Sequence, residues 1–213
     1  VEKGIDILYL GFSSGLSGSV NSGRIAAQEL MEEYPEITIR VVDSLCASMG
    51  EGLLLYYAVK MKEEGKSMQE VGDFLEENKL YLCHVFTVDD LFHLHRGGRV
   101  SKLSAIVGTM AGIKPMLHVD DEGHLILLSK VRGRKKALAE LVRMMDERIG
   151  SWKDKNQTIF ISHGDCEKDA RMVADLVREK YGIEDIHIHP VGATIGAHAG
   201  PGTVALFFLG DKR

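Results

Sequence analysis

Two rhythms of apolar and polar positions divide the chain. The first opens on Ile5-Asp6-Ile7-Leu8-Tyr9-Leu10, whose dense apolar character predicts a buried strand, followed by a glycine- and serine-rich turn over 11–18. Helical spacing then takes over, with Ile25, Leu30 and Met31 apolar and Glu29, Glu32 and Glu33 polar. Pro35 stops that helix, because it has no backbone N–H to extend it. Ile37-Thr38-Ile39-Arg40-Val41-Val42 predicts a second strand closing on Asp43-Ser44, and 53–62 a second helix. Ser67 with Glu70 has the spacing of a capping box ahead of a helix carrying Val71, Phe74 and Leu75. Strands alternating with helices in this way predict a parallel sheet with right-handed crossovers.

The second rhythm differs. Thr87 with Asp90 predicts a capped short helix that runs into Arg96-Gly97-Gly98-Arg99, where the glycines end it. Met116-Leu117-His118-Val119 and Leu125-Ile126-Leu127-Leu128 flank Asp120-Asp121-Glu122-Gly123, a hairpin signal. Ala137, Leu138, Leu141, Val142, Met145 and Ile149 predict a long amphipathic helix, and 158–162 a strand. Ala170, Val173, Ala174 and Val177 mark a further helix, with strands near 186–191 and 204–209. The fold class is therefore α/β in two domains. Residues 1–86 form a parallel-sheet α/β domain, and 87–213 an α+β domain with a mixed or antiparallel sheet. Neither an internal repeat nor a low-complexity linker interrupts them.

Composition narrows the class. With 213 residues, 45% of them hydrophobic and 27% charged, the chain suits a packed core and excludes a disordered or fibrous protein. No apolar run approaches the roughly 20 residues that span a bilayer, and no signal-peptide pattern opens the sequence, so a cytoplasmic protein without stable membrane insertion is expected. Lys and Arg total 26 against 31 Asp and Glu, a net charge of -5 that disfavours a nucleic-acid partner. The three cysteines, Cys46, Cys83 and Cys166, have no C-x-x-C spacing, which argues against a disulfide framework or a thiolate metal site. Of the nine histidines, His93 and His95 fall on different helix faces, and His187 and His189 share a strand face without a third ligand. No metal is expected.

Candidate chemistry concentrates in three segments. In Gly11-Phe12-Ser13-Ser14-Gly15-Leu16-Ser17-Gly18-Ser19, seven of nine residues are Gly or Ser, placed between a strand and a helix. That is where open α/β sheets bind ligands and where helix N–H groups and hydroxyls suit an anion. Two other chemistries fit the same loop. Gly11-Phe12-Ser13-Ser14-Gly15 matches the G-x-S-x-G nucleophile elbow, with Asp43 and His198 following in triad order, which would make a serine hydrolase of esterase type. A dinucleotide site with Asp43 on the ribose is the weaker fit, since Gly11, Gly15 and Gly18 miss the G-x-G-x-x-G spacing. The second segment, Ile195-Gly196-Ala197-His198-Ala199-Gly200-Pro201-Gly202-Thr203, leaves a histidine sterically bare and able to donate to an oxyanion. The third is basic: Arg96-Gly97-Gly98-Arg99 and Lys130-Val131-Arg132-Gly133-Arg134-Lys135-Lys136 are local clusters on an acidic chain.

Taken in order, these segments together with Val42-Asp43-Ser44 and Phe86-Thr87-Val88-Asp89-Asp90-Leu91 resemble the DegV family of bacterial fatty-acid-binding proteins, over nearly the whole chain. The resemblance implies two domains clasping one long-chain fatty acid, its tail buried and its carboxylate held by the serine loop, through Ser13, Ser14 and Gly15, and by His198. It implies no enzyme activity and no cofactor in this chain. Related proteins present the acid to a separate kinase subunit, which converts the carboxylate to an acyl phosphate. Ile106, Met110, Ile113 and Met116 are candidate walls of the acyl tunnel, and Arg96, Arg99, Arg132 and Arg134 candidate docking residues for the kinase. Family members begin with a further strand, helix and Thr-Ser loop, so the first domain is expected to be incomplete. The physics is compatible: each buried CH₂ contributes about 0.8 kcal/mol, and a carboxylate leaving water needs several donors. A small phosphate- or sugar-binding regulator is the remaining alternative.

Overall fold

In the computed structural model, which describes residues 1–100 and 112–213, both rhythms become sheets. The first gives β1 (Ile7–Gly11), α1 (Ser19–Glu33) and β2 (Ile39–Asp43), with β1 and β2 paired in parallel. Two helices follow, α2 (Met49–Glu63) and α3 (Met68–Asn78). The start of α3 carries the expected capping box: Ser67 accepts from the Glu70 N–H, and Glu70 accepts from the Ser67 N–H.

The second sheet is mixed and has six strands in the order β5-β4-β3-β8-β6-β7. Its members are β3 (Leu82–Thr87), β4 (Ile113–Val119), β5 (Leu125–Arg132), β6 (Thr158–His163), β7 (Asp185–Pro190) and β8 (Val204–Leu209). Only β6 and β7 run parallel; the other neighbours are antiparallel. Among the described residues four α-helices accompany it: α4 (Leu91–Arg96), α5 (Arg134–Ile149), α6 (Glu167–Tyr181) and α7 (Ala193–Ala199). The α/β class and the mixed second sheet are as the apolar pattern predicts.

One local reading needs revision. Thr87 caps nothing: it is a fully buried residue of β3, and Asp90 alone caps α4 by accepting the Phe92 N–H at 2.8 Å. The capping box fails because the strand continues through Thr87. The apolar pattern does not single out β3, and residue 86, where the sequence divides the chain, lies within it. The run around His198 forms a short helix, α7.

Burial explains the layering. All six residues of each of β3, β6 and β8 are buried, so this central part of the sheet is covered on both faces. One face packs α5 and α6 through Cys83, Val85, Met116, Ile161, Leu206 and Phe208. The other, with Leu82, Phe86, Phe160, Ala205 and Phe207, meets α2 and the first sheet. The site lies on this second face.

Candidate functional site

A cavity of about 440 Å³ opens between that face and the serine loop, the residues leading into α2, the β4–β5 hairpin, α4 and α7. Strand register builds its floor. Phe86, Ala205 and Ser162 stand opposite one another in one row, and His84, Phe207 and Phe160 in the next. The walls are mostly apolar, with Phe12 and Leu16 from the loop, Leu94 from α4, Val119 and Leu125 from the hairpin and Ile195 from α7. Polar side chains fall into two sets. Ser19, Arg99 and Thr194 are exposed at the rim, with Ser17 and His198 partly so, whereas His84, Ser162 and Thr203 are buried inside.

The serine loop is held by the end of β2. Ser44 donates its hydroxyl to the Gly11 carbonyl at 2.7 Å, and Asp43 accepts from the N–H groups of Ser14 and Leu45 at 3.2 and 3.1 Å. This clamp accounts for the Asp43-Ser44 pair and occupies Asp43. Ser13, fully buried, donates to the Gly123 carbonyl of the β4–β5 hairpin at 2.9 Å and accepts the Gly15 N–H at 3.1 Å. Gly15 also presses on that hairpin, since a β-carbon there would overlap the backbone of Glu122 and Gly123. Ser13 and Gly15 therefore fasten the first unit to the second sheet, and with the exposed Ser14 they do not line the cavity. The loop residues that do are Phe12, Leu16, Ser17 and Ser19.

The hydrolase arrangement is not assembled among the described residues. Among the described residues no hydrogen bond joins Ser13 to a histidine, and its hydroxyl is already shared by two backbone groups. The thiols are no better as nucleophiles, because burial pushes Cys46 and Cys83 up to about 12.

His198 lines the cavity through a fit that joins two motifs. Its ring lies against Gly97 at the end of α4, where any β-carbon would overlap Nδ1. Reciprocally, the His93 ring of α4 lies against Gly200 at the end of α7. Arg96-Gly97-Gly98-Arg99 and the segment around His198 are thus two halves of one helix contact. Arg99 completes the rim, donating to the carbonyls of Gly97 and Leu16 at 2.6 and 3.3 Å.

The remaining expected residues are dispersed. Met116 is fully buried in the cluster under α5, on the face away from the cavity, and Ile113 does not line it either. Ile106 and Met110 lie outside the described residues. Arg134 is engaged by Asp169 at 2.7 Å and Asp89 at 3.3 Å, the latter shared with Lys114 at 2.7 Å. Arg96 and Arg132 are exposed and do not line the cavity. Among the described residues no three His, Cys, Asp or Glu side chains gather as metal ligands, and no helix is long and apolar enough to cross a membrane.

Sequence reasoning missed His84 and Ser162 of the buried polar set. Ser48, which lines the cavity beside it, has a left-handed backbone (φ 54, ψ −134), a conformation that costs a non-glycine residue about 1–3 kcal/mol. Its hydroxyl is 3.0 Å from that of Ser162. His84 accepts the Ala47 N–H at 3.3 Å, and burial, reinforced by the Arg213 guanidinium, holds it well below the usual histidine range, so it is neutral. The available signal was a histidine and a serine inside strands that are otherwise largely apolar.

Comparison with known proteins gives a consistent picture. A family model described as "Uncharacterised protein, DegV family" matches residues 1–211. A DegV domain-containing protein of Clostridium perfringens is 51% identical over 213 residues, covering 100% of this chain and 72% of that protein. A DegV family protein from Eubacterium eligens, loaded with heptadecanoic acid, superposes with a TM-score of 0.88 at 26% identity, covering 97% of this chain and 73% of that one. The fatty acid kinase B3 protein of Streptococcus pneumoniae, loaded with linoleic acid, gives 0.84 at 25% identity, over 96% and 71% of the two chains.

Proposed function

The chain belongs to the DegV family, and from that premise we propose that it binds one long-chain fatty acid in the cavity between the serine loop and the second sheet. The observation that carries this reading is the cavity itself: about 440 Å³, apolar along its walls, with exposed polar groups at one rim. Structural neighbours loaded with heptadecanoic and linoleic acids support it. The acyl chain lies along Phe12, Leu16, Phe86, Leu94 and Phe207, and the carboxylate stays at the rim with His198, Arg99, Ser17 and Ser19. An arginine and a histidine there are suitable partners, because charge-assisted hydrogen bonds to a carboxylate are about twice as strong as neutral ones. The test is a titration of delipidated protein with octadecanoic acid, which should raise the melting temperature as ligand is added. A polar phosphate or sugar that stabilises the protein when the acid does not would replace this reading.

Gly97 is expected to matter through His198. Gly97→Ala should weaken fatty-acid binding about tenfold, the worth of one charge-assisted bond, because its β-carbon displaces the ring. The Gly97 backbone is in the αR region, so alanine adds no conformational strain. In a His198→Ala background the same change should cost almost nothing, and calorimetry on the four proteins reads the coupling.

The bound acid is presented, in this reading, to a kinase subunit that phosphorylates the exposed carboxylate; catalysis lies in that partner. The neighbour that is itself a fatty acid kinase B protein supports a partner of this kind. Arg96, Arg99 and Arg132 are the docking residues, while Arg134 is tied to Asp89 and Asp169. Charge reversal of Arg96 and Arg132, neither of which lines the cavity, should slow acyl-phosphate formation about tenfold at low salt and less at high salt, with lipid occupancy preserved. Lipid loss with normal kinase engagement would move these residues into the binding site.

A further inference from the structure

The cavity has polar groups at both its rim and its interior, and only the rim set has a function in the reading above. Ser162 is fully buried, and its hydroxyl is bonded to that of Ser48. Two hydroxyls joined by one hydrogen bond use one hydrogen, so one O–H of the pair has no acceptor among the described residues. Buried donors are rarely left in that state. Ser48 makes its contact from a left-handed backbone, which is the kind of outlier that marks a constrained functional position. One row away, His84 has its Nε2 committed to the Ala47 N–H, which places the ring proton on Nδ1. That Nδ1 has no partner of hydrogen-bonding geometry among the described residues. All of these groups are neutral or hydroxylic, and the one Arg or Lys in the described lining, Arg99, is exposed at the rim. A carboxylate therefore suits the rim, and a neutral oxygen suits the interior.

We propose that Ser48 and Ser162 form a second polar station inside the acyl cavity, and that the preferred ligand is a long-chain fatty acid carrying a hydroxyl group on its chain. This rests on the fatty-acid reading and adds a substrate class to it. A chain hydroxyl accepts the spare hydrogen of the serine pair and donates its own to the Ser48 oxygen. A plain methylene chain passes the same point and leaves the donor unpaired. Specificity of this kind arises when a site built to pair a hydroxyl penalises the ligand that lacks it.

The experiment is a competition assay on delipidated protein, comparing octadecanoic acid with a series of hydroxyoctadecanoic acids substituted at successive positions. For at least one position the hydroxy acid should bind about tenfold tighter than octadecanoic acid. In Ser162→Ala that ratio should fall to about one, and Ser162→Thr, which keeps the hydroxyl, should restore it. Equal binding at every position, or a preference that survives in Ser162→Ala, overturns the proposal while leaving fatty-acid binding intact. If neither kind of acid binds, the failure lies in the fatty-acid reading itself.

Discussion

Ala205→Phe should abolish retention of fatty acid with little loss of stability. Ala205 sits in the floor between Phe86 and Ser162, and its methyl faces the cavity. A phenyl ring there occupies space that the acyl chain needs. Excluding about four methylenes removes about 3 kcal/mol at about 0.8 kcal/mol each, which is at least a hundredfold in affinity. The ring fills space already empty, so the usual overpacking cost of about 1–3 kcal/mol should be at its lower end. Titration with octadecanoic acid reads the first quantity and urea denaturation the second. Unchanged affinity would show that the acid lies elsewhere.

Ser13→Ala should instead act on stability. The hydroxyl satisfies the Gly123 carbonyl and the Gly15 N–H at once, and it is completely buried. Alanine leaves both backbone groups unpaired at the contact between the serine loop and the hairpin. The expected loss is about 2–3 kcal/mol, or about 5–10 °C in melting temperature for a chain of this size. Ser14→Ala, at an exposed hydroxyl, should stay within about 0.5 kcal/mol. A Ser13→Ala protein of normal stability that releases its lipid would restore Ser13 as a carboxylate ligand.

These two serines show how much the sequence discloses. Features whose cause is local were legible: the stop at Pro35, the Ser67–Glu70 capping box, the hairpin at Asp120 to Gly123 and the amphipathic α5. The loop and His198 were legible as unusual chemistry because glycine and serine are dense there. What a given side chain touches was not. Ser13 and Ser14 are adjacent and chemically identical, yet one is buried against residue 123 and the other is in solvent. The difference is set by a contact 110 positions along the chain, which no local pattern encodes.

The same limit explains the cavity floor. His84, Ser162 and Ala205 come from three strands, and only the antiparallel register of β3, β8 and β6 brings them into neighbouring rows. Met116 shows the converse. It is apolar and flexible, as a tunnel wall requires, but the pleat turns it toward α5. A strand carries its residues to alternate faces, and which face meets a cavity is decided by topology. The pairing of Gly97 with His198 is of this kind as well: both motifs were visible, and their mutual fit was not.

Native mass spectrometry of the purified protein tests the central claim most directly. The account predicts a single adduct per chain with the mass of a long-chain fatty acid, released on denaturation and absent from Ala205→Phe prepared in the same way. A protein that carries no such adduct and takes none up when delipidated and incubated with fatty acids would contradict it.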